Sequence, residues 1–445
     1  MRFTADPGPL AELDWAPGEI GDGADQRRDV WSVEMKGGQT PLVQHGSERV
    51  RAVRMVREGR LGFAASRTAS WRQLQAQAAD AAVAGPETKL DEPVLAAGAI
   101  SPGVPAFDPA MAPRMSLVAR ELYSRLEGLA DDFRPAVSVA YHQLDTRLMN
   151  SSGGKAAWTQ GYFALSAGGR RVDGTDFHAI METRVGMDAL TQAGELGNAV
   201  AERFAWGRRI QHLAGGRLPI VFLPPVVMSV LMPVLARLSG PALIAGNSPW
   251  EAQVGQRVLS PSLTILSDAT LPGGPRTAPF DDEGTPTGRW PLIEAGELRH
   301  FVLDRDSARR LGHAPRGMGY RPAPNALPAA LPANLAIEPG ELGLAEWGRR
   351  FPRLLVLNGW IGARPTNPLR GDIAGNASEL YLMDQGVITG RIKNAVISLN
   401  AFEALSQQLA AVGLDAQWLA QGMMQPAPGH VPPLLIDGVD VSMRR

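Results

Sequence analysis

A chain of 445 residues is long for one core and suits two domains of ordinary size; 44% hydrophobic and 20% charged residues make it globular rather than disordered. Lys and Arg (44) balance Asp and Glu (45), so no long-range field draws in a polyanion and nucleic acid is not an expected partner. With no cysteine there is no disulfide, thiolate zinc site or cysteine nucleophile, and a cytoplasmic location is the simplest expectation.

Residues 1–28 are rich in Asp, Gly and Pro and lack sustained periodicity, which predicts an extended arm without the basic and apolar regions of a secretory signal. Three β-like runs follow at Val30 to Met35, Arg49 to Val56 and Gly59 to Ser66, and Glu58-Gly59 suits a hairpin turn. A helix from Ser70 to Ala84 carries Leu74, Ala78, Ala81 and Ala82 on one face, with Ser70 placed to cap it. After a Pro- and Gly-rich crossing, Ala96 to Pro113, the pattern predicts a helix over Ser116 to Leu129. Strands then follow at Ala136 to Asp145, Arg147 to Asn150 and Ala156 to Ala167, and a long helix at Met187 to His212. Gly215-Gly216 closes this domain of residues 29–215.

The domain of residues 216–445 reads as mainly β. Its strands are expected at Thr264 to Ser267, Arg289 to Glu294, Glu297 to Asp304, Leu354 to Asn358, Leu380 to Asp384 and Val387 to Asn394. Glu294 to Glu297 and Asp384 to Val387 are tight-hairpin candidates, and the proline-rich stretch His313 to Pro332 reads as a long loop beside a site or interface. The most apolar run, Leu218 to Leu238, is broken by four prolines and Arg237, so it predicts a buried strand and helix rather than a membrane span. Val227, Val230, Leu231, Val234 and Leu238 form a packing stripe, with Pro233 expected to kink or shorten the helix.

Other residue clusters are weak. The seven histidines are scattered without metal-ligand spacing, and Tyr141-His142-Gln143 reads as strand. His178 after Asp176 could do acid-base work but suits a polar turn better, and Ser151 to Lys155 lacks phosphate-loop spacing. Asp281-Asp282-Glu283-Gly284 could hold a hard cation, though a turn ordering the next hairpin is the better reading.

Pro279 to Gly312, reading PFDDEGTPTGRWPLIEAGELRHFVLDRDSARRLG, resembles the core signature of the TldD/PmbA family, known as modulators of DNA gyrase and as paired zinc proteases. Ile220 to Gly240 is similar to the family's strand and helix at the start of its C-terminal half. Gly371 to Lys393, GDIAGNASELYLMDQGVITGRIK, is similar to its later block. The resemblance implies an α+β fold, with an N-terminal α/β domain of antiparallel strands and helices and a mainly β C-terminal domain of TldD/PmbA type. It marks Asp281, Asp282, Glu283, Gly284, Asp304, Ser307, Gly371, Asp372 and Ser378 as structural or cavity residues of the shared motifs.

Catalytic members carry HExxxH on the helix that begins here near Pro225, and the corresponding positions fall near Leu231, Met232 and Ala236. None can bind zinc, no His, Asp or Glu lies anywhere from Val226 to Ser239, and the cysteine near the end of the catalytic partner is missing. Both departures match the PmbA/TldE side of the family. The resemblance therefore implies a non-catalytic subunit, without cofactor or catalytic residue, in a heterodimer whose TldD-like, HExxxH-bearing partner supplies zinc. The expected substrates are unfolded or short peptides, or small amides, cleaved in a closed chamber, with neither nucleic acid nor membrane as partner. A homo-oligomeric binding or scaffold protein is the alternative. A weaker third reading is a hydrolase using Asp281, Asp282, Glu283 or His300.

Overall fold

The computed structural model describes residues 13, 15, 16, 18–38, 40–90, 95, 99, 100, 107, 108, 110–174, 176–363, 365, 367–420 and 427–444. Half of the expected N-terminal arm and most of the crossing from Ala96 to Pro113 therefore lie outside the described residues. The rest is a mixed helix and strand fold.

The N-terminal part is a sheet of long antiparallel strands, joined at one edge by a short strand parallel to its neighbour. Its members are β1 (Ile20–Lys36), β2 (Leu42–Arg57), β3 (Arg60–Ser66), the two-residue β4 (Ala99–Ile100), β5 (Phe133–Asn150), β6 (Lys155–Asp173) and β7 (Asp176–Gly186). The order is β3-β2-β1-β5-β6, with β4 and β7 both on β6. Glu58 and Gly59 both take positive φ, 51° and 74°, the geometry of the two-residue turn whose twist matches the flanking strands.

Three helices cover this sheet. Helix α1 (Trp71–Val83) starts in a capping box between Ser70 and Gln73 and buries Trp71, Leu74, Ala78 and Ala82 over β2 and β3. Helices α2 (Met111–Glu127) and α3 (Ala193–Gly207) pack on the face carrying Val139, Tyr141, Phe163 and Leu165. Period-2 alternation sends Ala24, Gln26, Leu144, Gln160 and Tyr162 to the other face, toward the C-terminal half.

Several expectations are corrected here. Residues 20–28 are not part of an arm but the first half of β1, where Asp22, Asp25 and Gln26 are buried. Residues 136–150 form one strand, not two, and the turn expected around His178 is the start of β7. The long helix expected from Met187 is a short turn, Ala189–Gln192, followed by α3. It stops at Gly207, which lies so close to the His178 ring that a Cβ would overlap it, and β8 (Ile210–Gln211) then pairs with Arg391 and Ile392.

In the C-terminal half, β9 (Gly216–Phe222) is antiparallel to Leu434–Met443, which pairs with Ala395–Asn400, then Asp372–Asp384, then Arg353–Ile361. The last of these returns parallel to β9, so five strands close a ring. A second sheet runs from Glu297–Leu298 through Arg289–Glu294, Ile265–Asp268, Leu335–Ile337 and Gly429–Val431 to Gln417–Leu419. The strand expected to run from Glu297 to Asp304 is only two residues long, because the chain then turns into a helix. Both remaining hairpin candidates hold: Ala295-Gly296 and Gln385-Gly386 have positive φ at both central positions.

Between ring and second sheet lies α4 (Pro224–Leu238), the centre of the largest core cluster. Pro233 is accommodated inside it without shortening it, since the helix runs on to Leu238. No helix among the described residues is long and apolar enough to cross a membrane.

Candidate functional site

The α4 helix begins where Pro224 and Pro225 occupy its first turn, a position that needs no backbone donor. Val227, Val230, Leu231, Val234 and Leu238 are all buried, and Leu231 is 1% exposed. Met232 and Ala236 are half-buried on the same helix. These three positions offer no nitrogen or oxygen donor from their side chains, so the helix does not fit zinc. Among the described residues, no group of three His, Asp or Glu side chains converges as a metal site.

The Asp281-Asp282-Glu283-Gly284 turn lies between the N-terminal sheet and the C-terminal half, and all six of its carboxylate oxygens accept hydrogen bonds. Asp281 Oδ1 accepts from the backbone N–H of Glu283 (3.0 Å) and Thr285 (2.8 Å), and Oδ2 from Gly319 (2.8 Å). Asp282 Oδ1 accepts from Gln26 Nε2 (2.8 Å) and Oδ2 from the Arg321 N–H (2.7 Å). Glu283 Oε1 accepts from Arg54 Nη1 (2.6 Å) and Oε2 from the Arg305 N–H (2.7 Å). Arg54 in turn donates to Asp22 Oδ2 through Nε and Nη2 (2.8 and 2.6 Å). The cluster is thus a fastener between β1, β2 and the C-terminal half, in which the three carboxylates of the turn are satisfied by hydrogen bonds.

Burial raises the carboxyl pKa values of Asp281, Asp282 and Glu283 above the ordinary range. For Asp281 the neighbouring Glu283 charge adds to the rise, while Glu283 is held back by Arg54 and pushed up again by Asp304. Gly319 must be small here, because a Cβ would lie 2.6 Å from Glu283 Cδ.

Asp304 and Ser307 join this group. Asp304 caps helix Arg305–Leu311, its Oδ1 accepting from the Ser307 N–H at 2.9 Å, and Ser307 packs on Gly240 so closely that a Cβ would lie 2.5 Å from Ser307 Cβ. The other motif residues lie apart. Gly371 and Asp372 stand at the start of the Asp372–Asp384 strand, where Asn400 Nδ2 donates to exposed Asp372 at 2.9 Å. Exposed Ser378 lines a cavity of about 700 Å³ with Glu379 and Met181.

Residues that sequence reasoning missed make the other junctions. Arg391 and Lys393 clasp Asp176 (2.6 and 2.7 Å), and Arg203 binds Glu182 at 2.6 Å beside Asn358 and Glu379. Asp306 accepts from Thr88 Oγ1 (2.7 Å) and the Lys89 N–H (2.6 Å). The histidines play local parts. His178 is buried, which with the Arg391 charge lowers its pKa to about 4; His300 Nδ1 bonds the Pro291 carbonyl at 2.7 Å; and His142 stacks on Tyr162. The acid-base pair imagined for Asp176 and His178 does not form, because Asp176 is held by Arg391 and Lys393.

Comparison with known proteins places this arrangement. Residues 215–443, just over half of the chain, match the PmbA/TldA metallopeptidase C-terminal domain. The chain belongs to this family. A metalloprotease of Methanothermobacter thermautotrophicus is 25% identical over 400 residues, 86% of each chain. An uncharacterised protein of Methanocaldococcus jannaschii is 28% identical over 218 residues, 47% of this chain and 48% of the relative, so that alignment spans about half of either. The fold is that of the crystal structure of TldE from Thermococcus kodakarensis, with a TM-score of 0.78 at 19% identity over 96% of this chain and 97% of that one. A proposed modulator of a DNA gyrase from Thermotoga maritima gives 0.79 at 18% identity over 96% of both. The family is thus metallopeptidase-like, and helix α4 of this chain is lined by aliphatic and Met side chains.

Proposed function

We propose that this chain is the non-catalytic, TldE-like subunit of a two-subunit zinc metallopeptidase, working with a TldD-like partner that carries HExxxH. The observation that carries this reading is the α4 helix, kept in the centre of the fold with Leu231 buried and Met232 and Ala236 half-buried where ligands would stand. A subunit that had lost the fold along with the ligands would need no partner. One that keeps the fold retains a shape with which to wall a chamber and to steady the partner's site.

In this reading zinc belongs to the partner and supplies the activated water; the substrates are unfolded or short peptides, or small amides, and the complex is cytoplasmic. A peptide added as a strand along a sheet edge would be held by main-chain hydrogen bonds, which tolerate many sequences. The test is mass and metal content of the chain alone and mixed with its HExxxH-bearing relative. The reading expects a zinc-free isolated chain and a 1:1 complex with zinc on the partner. Zinc held stoichiometrically by this chain would overturn the non-catalytic assignment, and self-association with no affinity for the relative would favour the homo-oligomeric scaffold.

A further inference from the structure

A cavity of about 400 Å³ lies under the even-numbered face of the N-terminal sheet, roofed by the C-terminal half. That is within the size range of small-molecule sites. Its charge is one-sided. Arg28, Arg276 and Arg321 line it with a single carboxylate, Asp282, both of whose oxygens are already engaged by Gln26 and the Arg321 N–H. Arg276 is only 8% exposed, its Nη1 donates to the Pro332 carbonyl at 2.9 Å, its guanidinium lies over the Tyr320 ring, and Arg28 is near enough to add a repulsion to it.

Of the three arginines, Arg321 is engaged elsewhere, its Nη1 donating to the Ala326 carbonyl and its Nη2 lying 3.9 Å from Asp22 Oδ1. Apolar surface completes the walls, chiefly Trp158 against Phe280 together with four prolines. A pocket lined by the Arg28 and Arg276 guanidinium groups and by aromatic and proline side chains suits a negatively charged group on an apolar body.

We propose that this interdomain cavity binds a carboxylate-bearing ligand, its carboxylate held between Arg28 and Arg276 and its apolar portion against Trp158 and Phe280. The same chemistry is presented by the C-terminal carboxylate of a hydrophobic peptide and by a free aryl-alkanoate. The site uses only this chain's residues, so it stands or falls apart from the two-subunit reading.

Calorimetric titration of the isolated full chain tests it, with Ala-Leu-Phe as the free acid, its C-terminal amide, 3-phenylpropionate and inorganic phosphate as probes. The free acid or phenylpropionate is expected to bind saturably, and the better of the two identifies the source as peptide end or free acid. The amide should bind at least about ten-fold more weakly than the acid, the loss of one charge-assisted hydrogen-bonded group. Arg28 is exposed, so Arg28→Gln should melt like the parent while weakening the carboxylate about ten-fold and leaving the amide unchanged. Equal binding of acid and amide, no carboxylate binding, preference for phosphate, or an Arg28→Gln variant that binds the carboxylate like the parent would each overturn the proposal.

Discussion

Arg54→Leu should be the most damaging single change at the junction between the two halves. The Arg54 side chain is 5% exposed and its guanidinium serves two carboxylates, Asp22 through Nε and Nη2 and Glu283 through Nη1. Leucine keeps much of the volume but leaves both acids buried without their cation. Breaking a buried pair by removing one partner costs about 3–5 kcal/mol, a large share of the roughly 5–15 kcal/mol that holds a domain folded. Glu283 keeps its bond from the Arg305 N–H, and Asp22 keeps Arg321 at 3.9 Å, so the lower part of that range is expected.

The loss should depend on pH with a definite sign. Glu283 already has a raised pKa, from burial, with Arg54 opposing the rise. Without Arg54 the folded-state value climbs further above the unfolded one, so the folded state takes up the proton first and the penalty is greatest at high pH. Urea unfolding at pH 8 and pH 5.5 should therefore show the larger deficit at pH 8, and Glu283→Gln added to Arg54→Leu should recover part of it. A deficit below about 1 kcal/mol, equal at both pH values and unaffected by the second change, would refute the fastener.

Three further outcomes are expected. Leu231→Asp should destabilise the fold by several kcal/mol or force a neutral carboxyl, because a buried unpaired charge is costly; denaturant melting identical to the parent would show the helix is not packed as described. Asp304→Ala should remove the cap from helix Arg305–Leu311 and cost about 1 kcal/mol in the same assay, with Asp304→Asn largely sparing it. Burial pushes the Asp176 pKa up but Lys393 and Arg391 outweigh it and hold it below the ordinary range, so its contribution is present above the unfolded carboxylate value and lost as pH falls through the folded one. Asp176→Asn should thus lower the melting temperature at pH 6, and the gap to the parent should narrow as the pH drops toward 3.

What could be read from sequence was what local chemistry dictates. Glu58-Gly59, Ala295-Gly296 and Gln385-Gly386 announce turns because positive φ at two consecutive positions leaves few choices, and Ser70 announces a helix start. The stripe from Val227 to Leu238 was legible because its period matches a helix that is buried nearly all round. Residues 20–28 were not legible, because apart from Ala24 their buried side chains are Asp22, Asp25 and Gln26, which look like solvent until Arg49, Arg54 and Asp282 are brought across by the fold. The same holds for Asp281 to Glu283: the local turn was foreseeable from Asp281 bonding Glu283 and Thr285, but its links to Arg54 and Gln26 span more than 200 residues. His178 was misread for the opposite reason, since a polar stretch before it hid a buried strand.

Peptide hydrolysis by reconstituted subunits tests the central claim most directly. The chain alone should cleave nothing, the HExxxH-bearing relative alone little, and the mixture should turn over peptide in a manner abolished by changing the relative's HExxxH glutamate. Substitution of Asp281, Asp282, Glu283 or His300 in a correctly assembled complex should leave substantial turnover. Hydrolysis by the isolated chain, or complete loss of turnover in an intact complex through one of those four substitutions, would contradict the account and assign chemistry to this subunit.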